Sequence, residues 1–299
     1  MNVPAAFVLG AASHTGHVRV NNEDDYLVGA LLPPADELLF CAVANGMGGV
    51  AGGAEASRAA LRALGATVLD GEADAGVDDR LANGFAAAAE RVAEQALAVP
   101  ALREMGTTLT AICLVPGRAL VGHIGDTRLY RVRATEAELM TMDHALRSPN
   151  NVLTKCIGGG HATCEPDLVD FDTRPGDRFL LLSDGVWSVL SATDVARLGR
   201  GSEPQAAAEA LVAAALRAGG PDNATAIVVD VSATAASAAG HELELERGER
   251  PDARSVWPRP RSLRPPLWPW LVLILAMVLI ALALMSWAFD WTLWGLVRR

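Results

Sequence analysis

The sequence predicts an α+β layered domain followed by a single membrane-crossing helix near the C-terminus. Three observations carry this. Short β-type apolar runs come in groups, with alanine-rich helical stretches inserted as blocks, so a regular strand–helix–strand repeat is absent. A Gly-Arg step at 117–118 joins two apolar runs in the manner of a hairpin, which points to antiparallel sheet. Residues 267–289 contain no charged side chain.

The strand-like runs are 38–44, 107–115, 120–124, 179–183 and 225–231, each short, apolar and bounded by turn residues. The helical candidates are 54–64, which follows a glycine cluster, 84–99, rich in Ala, Glu and Arg, and 205–218. These elements fill residues 1–232, the expected folded domain. From 233 to 266 the composition shifts to small residues, then charges, then a Pro/Arg-rich stretch, VWPRPRSLRPP. Such a segment lacks the apolar residues for a core and reads as a linker.

The run 267–289, LWPWLVLILAMVLIALALMSWAF, meets the length of about 20 apolar residues that a helix needs to cross a bilayer core. Trp268, Trp270, Trp287, Trp291 and Trp294 flank it as interfacial belts do. Arg259, Arg261 and Arg264 precede it, and Arg298 and Arg299 end the short tail at 290–299. The arginine bias places the N-terminal domain in the cytoplasm of a single-pass, tail-anchored protein.

Charge and cysteine content narrow the function classes. With 35 acidic against 25 basic residues the formal net charge is −10, which argues against nucleic acid as the main partner. Of the cysteines, Cys41 and Cys113 sit inside apolar runs and read as buried small hydrophobes. Cys156 and Cys164 complete a set with no CxxC spacing, so neither zinc nor disulfide chemistry is indicated.

Acidic residues recur at strand ends: Gly125-Asp126, Ser183-Asp184-Gly185 and Pro221-Asp222-Asn223, with a further pair at Glu23-Asp24. Any one of them is most simply a turn, since Asp and Asn beside Gly favour turn geometry. Together they form the oxygen-rich set that hard divalent cations prefer, mounted on rigid strand ends.

The order and wording of these segments resemble the metal-dependent protein phosphatase family (PPM, type 2C), in its bacterial serine/threonine form. SHTGHVRVNNEDDY at 13–26 looks like the family's opening motif, and AVANGMGGVAGGAEAS at 42–57 like its Ala-Asp-Gly-Met-Gly-Gly segment. MGTTLTA, HIGDTRLYR, DHA, LTKCIGG, LLLSDGVW and GGPDNATAIVV follow in family order, so the resemblance covers roughly residues 10–231. It implies a four-layer αββα sandwich, two antiparallel sheets flanked by helices, with two Mn²⁺ or Mg²⁺ ions at one end and a weaker third.

By position, the resemblance implies that Asp184 and Asp222 bind the first metal. Position 45 bridges both, with the carbonyl of Gly46 on the second. Glu23 and Asp24 hold metal-bound waters, and Asp126 joins Asp184 at the third site. Arg19 grips the substrate phosphate, for which a planar guanidinium fork is suited. The reaction implied is hydrolysis of phosphoserine or phosphothreonine on proteins by an activated water. The implied partners are phosphorylated proteins, a bacterial serine/threonine kinase or its substrates, at the inner membrane. His123 reads as structural, and neither His144 nor His161 is assigned a catalytic task.

One central position departs from the family pattern: Asn45 stands where the family has Asp. An amide carries no charge, and its NH₂ is a donor that repels a cation. Three readings stay open: a weak phosphatase, a natural pseudophosphatase acting as a membrane-anchored phosphoprotein-binding or regulatory module, or a substitution introduced to trap a complex. A second departure is the short stretch 143–153, where relatives carry a longer flap beside the cleft.

Overall fold

A computed structural model describes residues 4–232 apart from 33–36, 72–74, 135, 147–151, 161–164 and 202. The chain divides into two units, Met1–Leu245 and Glu246–Arg299, and every described residue belongs to the first. The expected linker and the apolar run 267–289 lie outside the described residues. Among the described residues no helix is long and apolar enough to cross a membrane.

Three strands open the chain: β1 (Phe7–His14), β2 (Asp24–Leu31) and β3 (Leu38–Met47). Two long helices follow, α1 (Gly49–Asp70) and α2 (Val77–Ala98). Next come β4 (Gly106–Thr107), β5 (Leu109–Val115), β6 (Arg118–Ile124), β7 (Arg128–Arg133) and β8 (Glu136–Leu139). The short pieces β9 (Ala145–Leu146), β10 (Val152–Leu153) and β11 (Ile157–Gly158) lead into β12 (Asp167–Asp172) and β13 (Arg178–Leu182). Helices α3 (Asp184–Trp187), α4 (Ala192–Arg200) and α5 (Pro204–Arg217) precede the last strand, β14 (Ala224–Val231).

These strands build two main antiparallel sheets. One runs β1-β14-β13-β7-β8; the other runs β11-β4-β3-β5-β6-β12, with β2 also paired to β3. The period-two alternation of the central strands explains the layering. On β3, Leu38, Phe40, Ala42 and Ala44 pack with the α1 and α2 side chains Leu64, Val68, Phe85 and Val92. Leu39, Cys41 and Val43 point the other way, into the core shared with Phe179, Leu181, Ile227 and Val229 of the opposite sheet. That sheet's other face, Leu180, Leu182, Ala226 and Val228, packs on Leu211, Val212 and Ala215 of α5. Strands buried on both faces read as continuous apolar runs, which is why they stand out in the sequence.

The helices differ from expectation at their ends. Helix α1 begins in the glycine cluster, α2 starts seven residues before 84, and the short amphipathic α4 was not singled out. Strands β1 and β2 were not singled out, because only Phe7 and Gly10 of the one and Asp24 and Gly29 of the other are buried. The hairpin step is shifted by one residue. Val115 pairs with Arg118, so the turn residues are Pro116 and Gly117, the latter at φ +79°. Cys41, Cys113 and Cys156 are buried, the first two as free thiols within the apolar layers, and Cys164 lies outside the described residues.

Candidate active site

The ends of β3, β13 and β14 and the loop between β1 and β2 enclose a cleft of about 730 Å³. Arg19, Glu23, Asn45, Gly46, Asp126, Asp184 and Asp222 all line it. Asp24 alone of the expected set does not. It opens β2 directly opposite Asn45 and is buried beneath the cleft floor at 6% exposure.

The β1–β2 loop is stitched onto the start of β14. His17 donates from its backbone to the Gly220 carbonyl at 2.8 Å. Asn223 donates through Nδ2 to the carbonyls of Thr15 (2.8 Å) and Asn21 (2.9 Å), and its Oδ1 accepts from the Glu23 N–H at 2.8 Å. Three charge-free bonds from one side chain fix the loop that carries Arg19. The Arg19 guanidinium in turn donates to Asp222 Oδ2 at 2.7 Å. Asn223 stood in the sequence only as the third letter of a turn-like Pro-Asp-Asn triplet, and nothing local signals its clamping role.

Asn45 is held through its backbone. Its N–H donates to Thr108 Oγ1 at 3.1 Å, and its carbonyl accepts from Thr108 N at 2.9 Å and Thr107 Oγ1 at 3.1 Å. Its side-chain Nδ2 donates to Asp184 Oδ1 at 2.7 Å. A carboxylate at that distance demands a donor, so the amide turns its NH₂ toward Asp184. Gly46 must be glycine, because a Cβ there would lie 2.2 Å from the Gly53 carbonyl oxygen on α1. Gly125 sits at φ +108°, a turn that sends Asp126 into the cleft.

The electrostatics are one-sided. Burial pushes the Asp184 carboxyl up to about 7, with Asp126, Asp24 and Asp222 adding to the effect and the Gly185 N–H opposing it. Burial likewise pushes Asp24 up to about 6. The Ser183 and Thr225 hydroxyls lie near enough to oppose that shift, yet neither Asp24 oxygen has a partner in hydrogen-bonding geometry. Asp126 rises to about 6, through burial and then Asp143. Glu23 is also raised by burial, against the pull of Arg19. Carboxylates crowded beyond their counter-charges, one with both oxygens orphaned, are the chemistry of a cation site. The donor set is nevertheless incomplete: among the described residues no three His, Cys, Asp or Glu side chains converge as a metal cage. The neutral Asn45 stands in the middle of the acids.

Among the described residues no histidine lines the cleft. His144 Nδ1 accepts from the Gly125 N–H at 3.1 Å, so its Nε2 carries the proton and donates to Asp167 Oδ2 at 2.9 Å. His123 bonds Thr110 Oγ1 and the Met142 carbonyl, and burial holds its pKa down at about 4. Neither lines the cleft, in keeping with a structural role for His123; His161 lies outside the described residues. Sequence reasoning missed the brace beside Asp126. Arg128 binds Asp143 through two bonds of 2.9 and 2.7 Å and stacks 3.5 Å from the Trp187 ring centroid, and Trp187 Nε1 donates to the Asp126 carbonyl at 3.0 Å. Those partners are too far apart in sequence to be read as a pair.

The profile of a family described as protein phosphatase 2C matches residues 15–228. The serine/threonine protein phosphatase PstP of Mycobacterium tuberculosis is 36% identical over 237 residues, covering 74% of this chain and 44% of that protein. The chain thus spans less than half the length of that curated relative. Protein phosphatase PhpP of Streptococcus pneumoniae is 29% identical, covering 73% of this chain and 94% of that protein. A crystal structure of M. tuberculosis PstP superposes with a TM-score of 0.68 at 32% identity, over 76% of this chain and 99% of the other. The PstP catalytic domain in complex with two manganese ions gives 0.67 at 33% identity, over 76% and 98%.

Proposed function

Because the chain belongs to the protein phosphatase 2C family, we propose that it is a metal-dependent serine/threonine protein phosphatase whose output is limited by Asn45. The observation that carries the proposal is the meeting of Arg19 with Glu23, Asp126, Asp184 and Asp222 in one cleft. The reaction is hydrolysis of a phosphoserine or phosphothreonine ester on a protein.

Asp184 and Asp222 are the residues to hold one Mn²⁺ or Mg²⁺, with Asn45 and the Gly46 carbonyl toward a second. Their burden of negative charge and the orphaned oxygens of Asp24 fit cations; the Asn45 amide fits the second cation poorly. When bound, such cations acidify water and offset phosphoryl charge. The chain's own residues do the rest. Arg19 spends one N–H on Asp222 and presents the remainder of its planar fork to the phosphate, which it orients bidentately. Glu23 supplies acceptors that orient water, Asp24 adds negative charge from beneath the floor, and Asp126 adds an acceptor on the cleft wall.

The test is phosphate release from a phosphothreonine peptide by the full chain in Mn²⁺ and in EDTA. Release that needs Mn²⁺ and is lost in Asp222→Asn supports the proposal; metal-independent release in that variant sinks it. A second reading, a phosphoprotein-binding module without turnover, is favoured by the 2.7 Å bond from Asn45 Nδ2 to Asp184. It predicts Arg19-dependent phosphopeptide binding with no release in any metal.

The proposal extends to location and partners. The uncharged run 267–289 is a single membrane helix, the linker 233–266 tethers the domain, and the arginines before the helix hold the domain on the cytoplasmic side. Its partners there are phosphorylated proteins, a bacterial serine/threonine kinase or that kinase's substrates. Protease added outside intact cells leaves residues 1–232 uncut; digestion from that side reverses the orientation.

A further inference from the structure

Arg19 lies between two valines with nowhere to hide. Val18 is 69% exposed and Val20 is 91% exposed, although Val20 lines the cleft. Across the cleft, Val152 lines the other bank at 57% exposure. Its cross-strand partner Leu146, on the same face of the β9–β10 ladder, is 61% exposed. Exposed apolar residues scattered singly need no explanation, but Val20 and Val152 both line the cleft that holds Arg19, and each has an exposed apolar neighbour, Val18 and Leu146. The charged side chains that line the cleft beside these valines are Arg19, Glu23, Asp126, Asp184 and Asp222. Lys155, the basic side chain nearest in sequence to the Val152 bank among the described residues, is committed to Asp167 at 2.8 Å.

We propose that the Val18/Val20 and Leu146/Val152 banks select an extended phosphopeptide whose phosphorylated residue is flanked on both sides by apolar side chains. The proposal deepens the phosphatase reading and rests on it. An extended segment sends successive side chains to opposite sides, so a phosphoresidue pointing at the floor sets its neighbours against the rims. Apolar neighbours remove the valines and Leu146 from water, whereas acidic neighbours face the carboxylates that line the cleft.

The experiment uses the full chain in detergent and two fluorescent phosphothreonine peptides, identical except that Val and Leu flank the phosphoresidue in one and Ser and Gly in the other. Fluorescence anisotropy in Mn²⁺ gives both affinities for wild type, Val20→Asp, Val152→Asp and Arg19→Ala. The apolar-flanked peptide should bind on the order of tenfold more tightly, the gain expected from burying a few half-exposed aliphatic groups. In Val20→Asp and in Val152→Asp the ratio should fall toward one. Equal affinities in wild type, or a ratio unchanged in both Asp variants, overturns the proposal. A different failure, in which Arg19→Ala leaves the binding of both peptides unchanged, overturns the phosphate-site reading itself.

Discussion

Two polar clusters lie on either side of Asp126, and they are built on opposite principles. In the brace, every charge has its partner: Arg128 is clamped bidentately to Asp143 and covered by Trp187, and Lys155 and His144 share Asp167. At the cleft, Glu23, Asp126, Asp184 and Asp222 line the wall with one arginine and Asp24 lies buried beneath, and three of these acids are pushed up to about 6 or 7. The two clusters meet at the β6–β7 connection, which carries Asp126 beside Arg128, and on α3, which carries Asp184 and Trp187, so packing alone does not explain the difference. A protein gains nothing in stability from burying uncompensated carboxylates; keeping them marks a place where something else supplies the charge. The brace is architecture, and the cleft is a site.

The largest expected effect lies at the residue that breaks the cleft's own pattern. Asn45→Asp in the full chain should raise Mn²⁺-dependent phosphate release by ~10²–10⁴-fold, corresponding to ~3–5 kcal/mol in the barrier. No gain with any phosphopeptide would leave the cleft a binding site only.

Next comes the brace. Asp143→Ala removes the carboxylate from a guanidinium whose side chain is 13% exposed, and should destabilise the fold by about 3 kcal/mol, the usual cost of breaking a buried pair. The measurement is the chemical denaturation midpoint without metal. A loss no larger than that of a surface pair would erase the distinction between the two clusters.

Arg19→Lys should weaken phosphopeptide affinity by ~1.5–3 kcal/mol, since charge remains but the bidentate fork is lost. Calorimetry showing unchanged affinity removes Arg19 from the phosphate site.

The smallest effect is a pH slope. The Asp184 carboxyl has a folded-state pKa raised to about 7 from the ordinary 3.8. Its contribution to stability is therefore complete below pH 3.8 and is lost as pH rises through about 7. Without metal, Asp184→Asn should gain on wild type between pH 6 and 8, on the order of 1 kcal/mol given that Asp24 and Asp126 share the same charge. His123, held down at about 4, acts oppositely, losing its stabilisation as pH falls from 6.5, and cancels between the two proteins. Parallel melting curves across that window would show that Asp184 is not part of the crowded set.

How much of this was legible in the sequence follows the same division. The doubly buried strands announce themselves, since β3, β5, β13 and β14 are continuous apolar runs. The edge-like β2 and the amphipathic α4 do not, because their burial depends on what packs against them. Asp126 and Asp184 were conspicuous because each adjoins a glycine at a strand end, whereas Arg19 and Asn45 were named only through the family resemblance. Asn223, Arg128 and Asp143 were not legible, since their importance lies in partners that only the fold brings near. Asn45 was visible as a departure; that its NH₂ would bond Asp184 required the structure.

On the proposed reading, the cleft is a cation-dependent phosphate-ester site held back by the neutral Asn45. Calorimetric Mn²⁺ titration of the full chain and its Asn45→Asp variant tests it most directly. Wild type should show one strong Mn²⁺ site with a weak second, and the variant two sites of comparable strength. Identical titrations for the two proteins would contradict it.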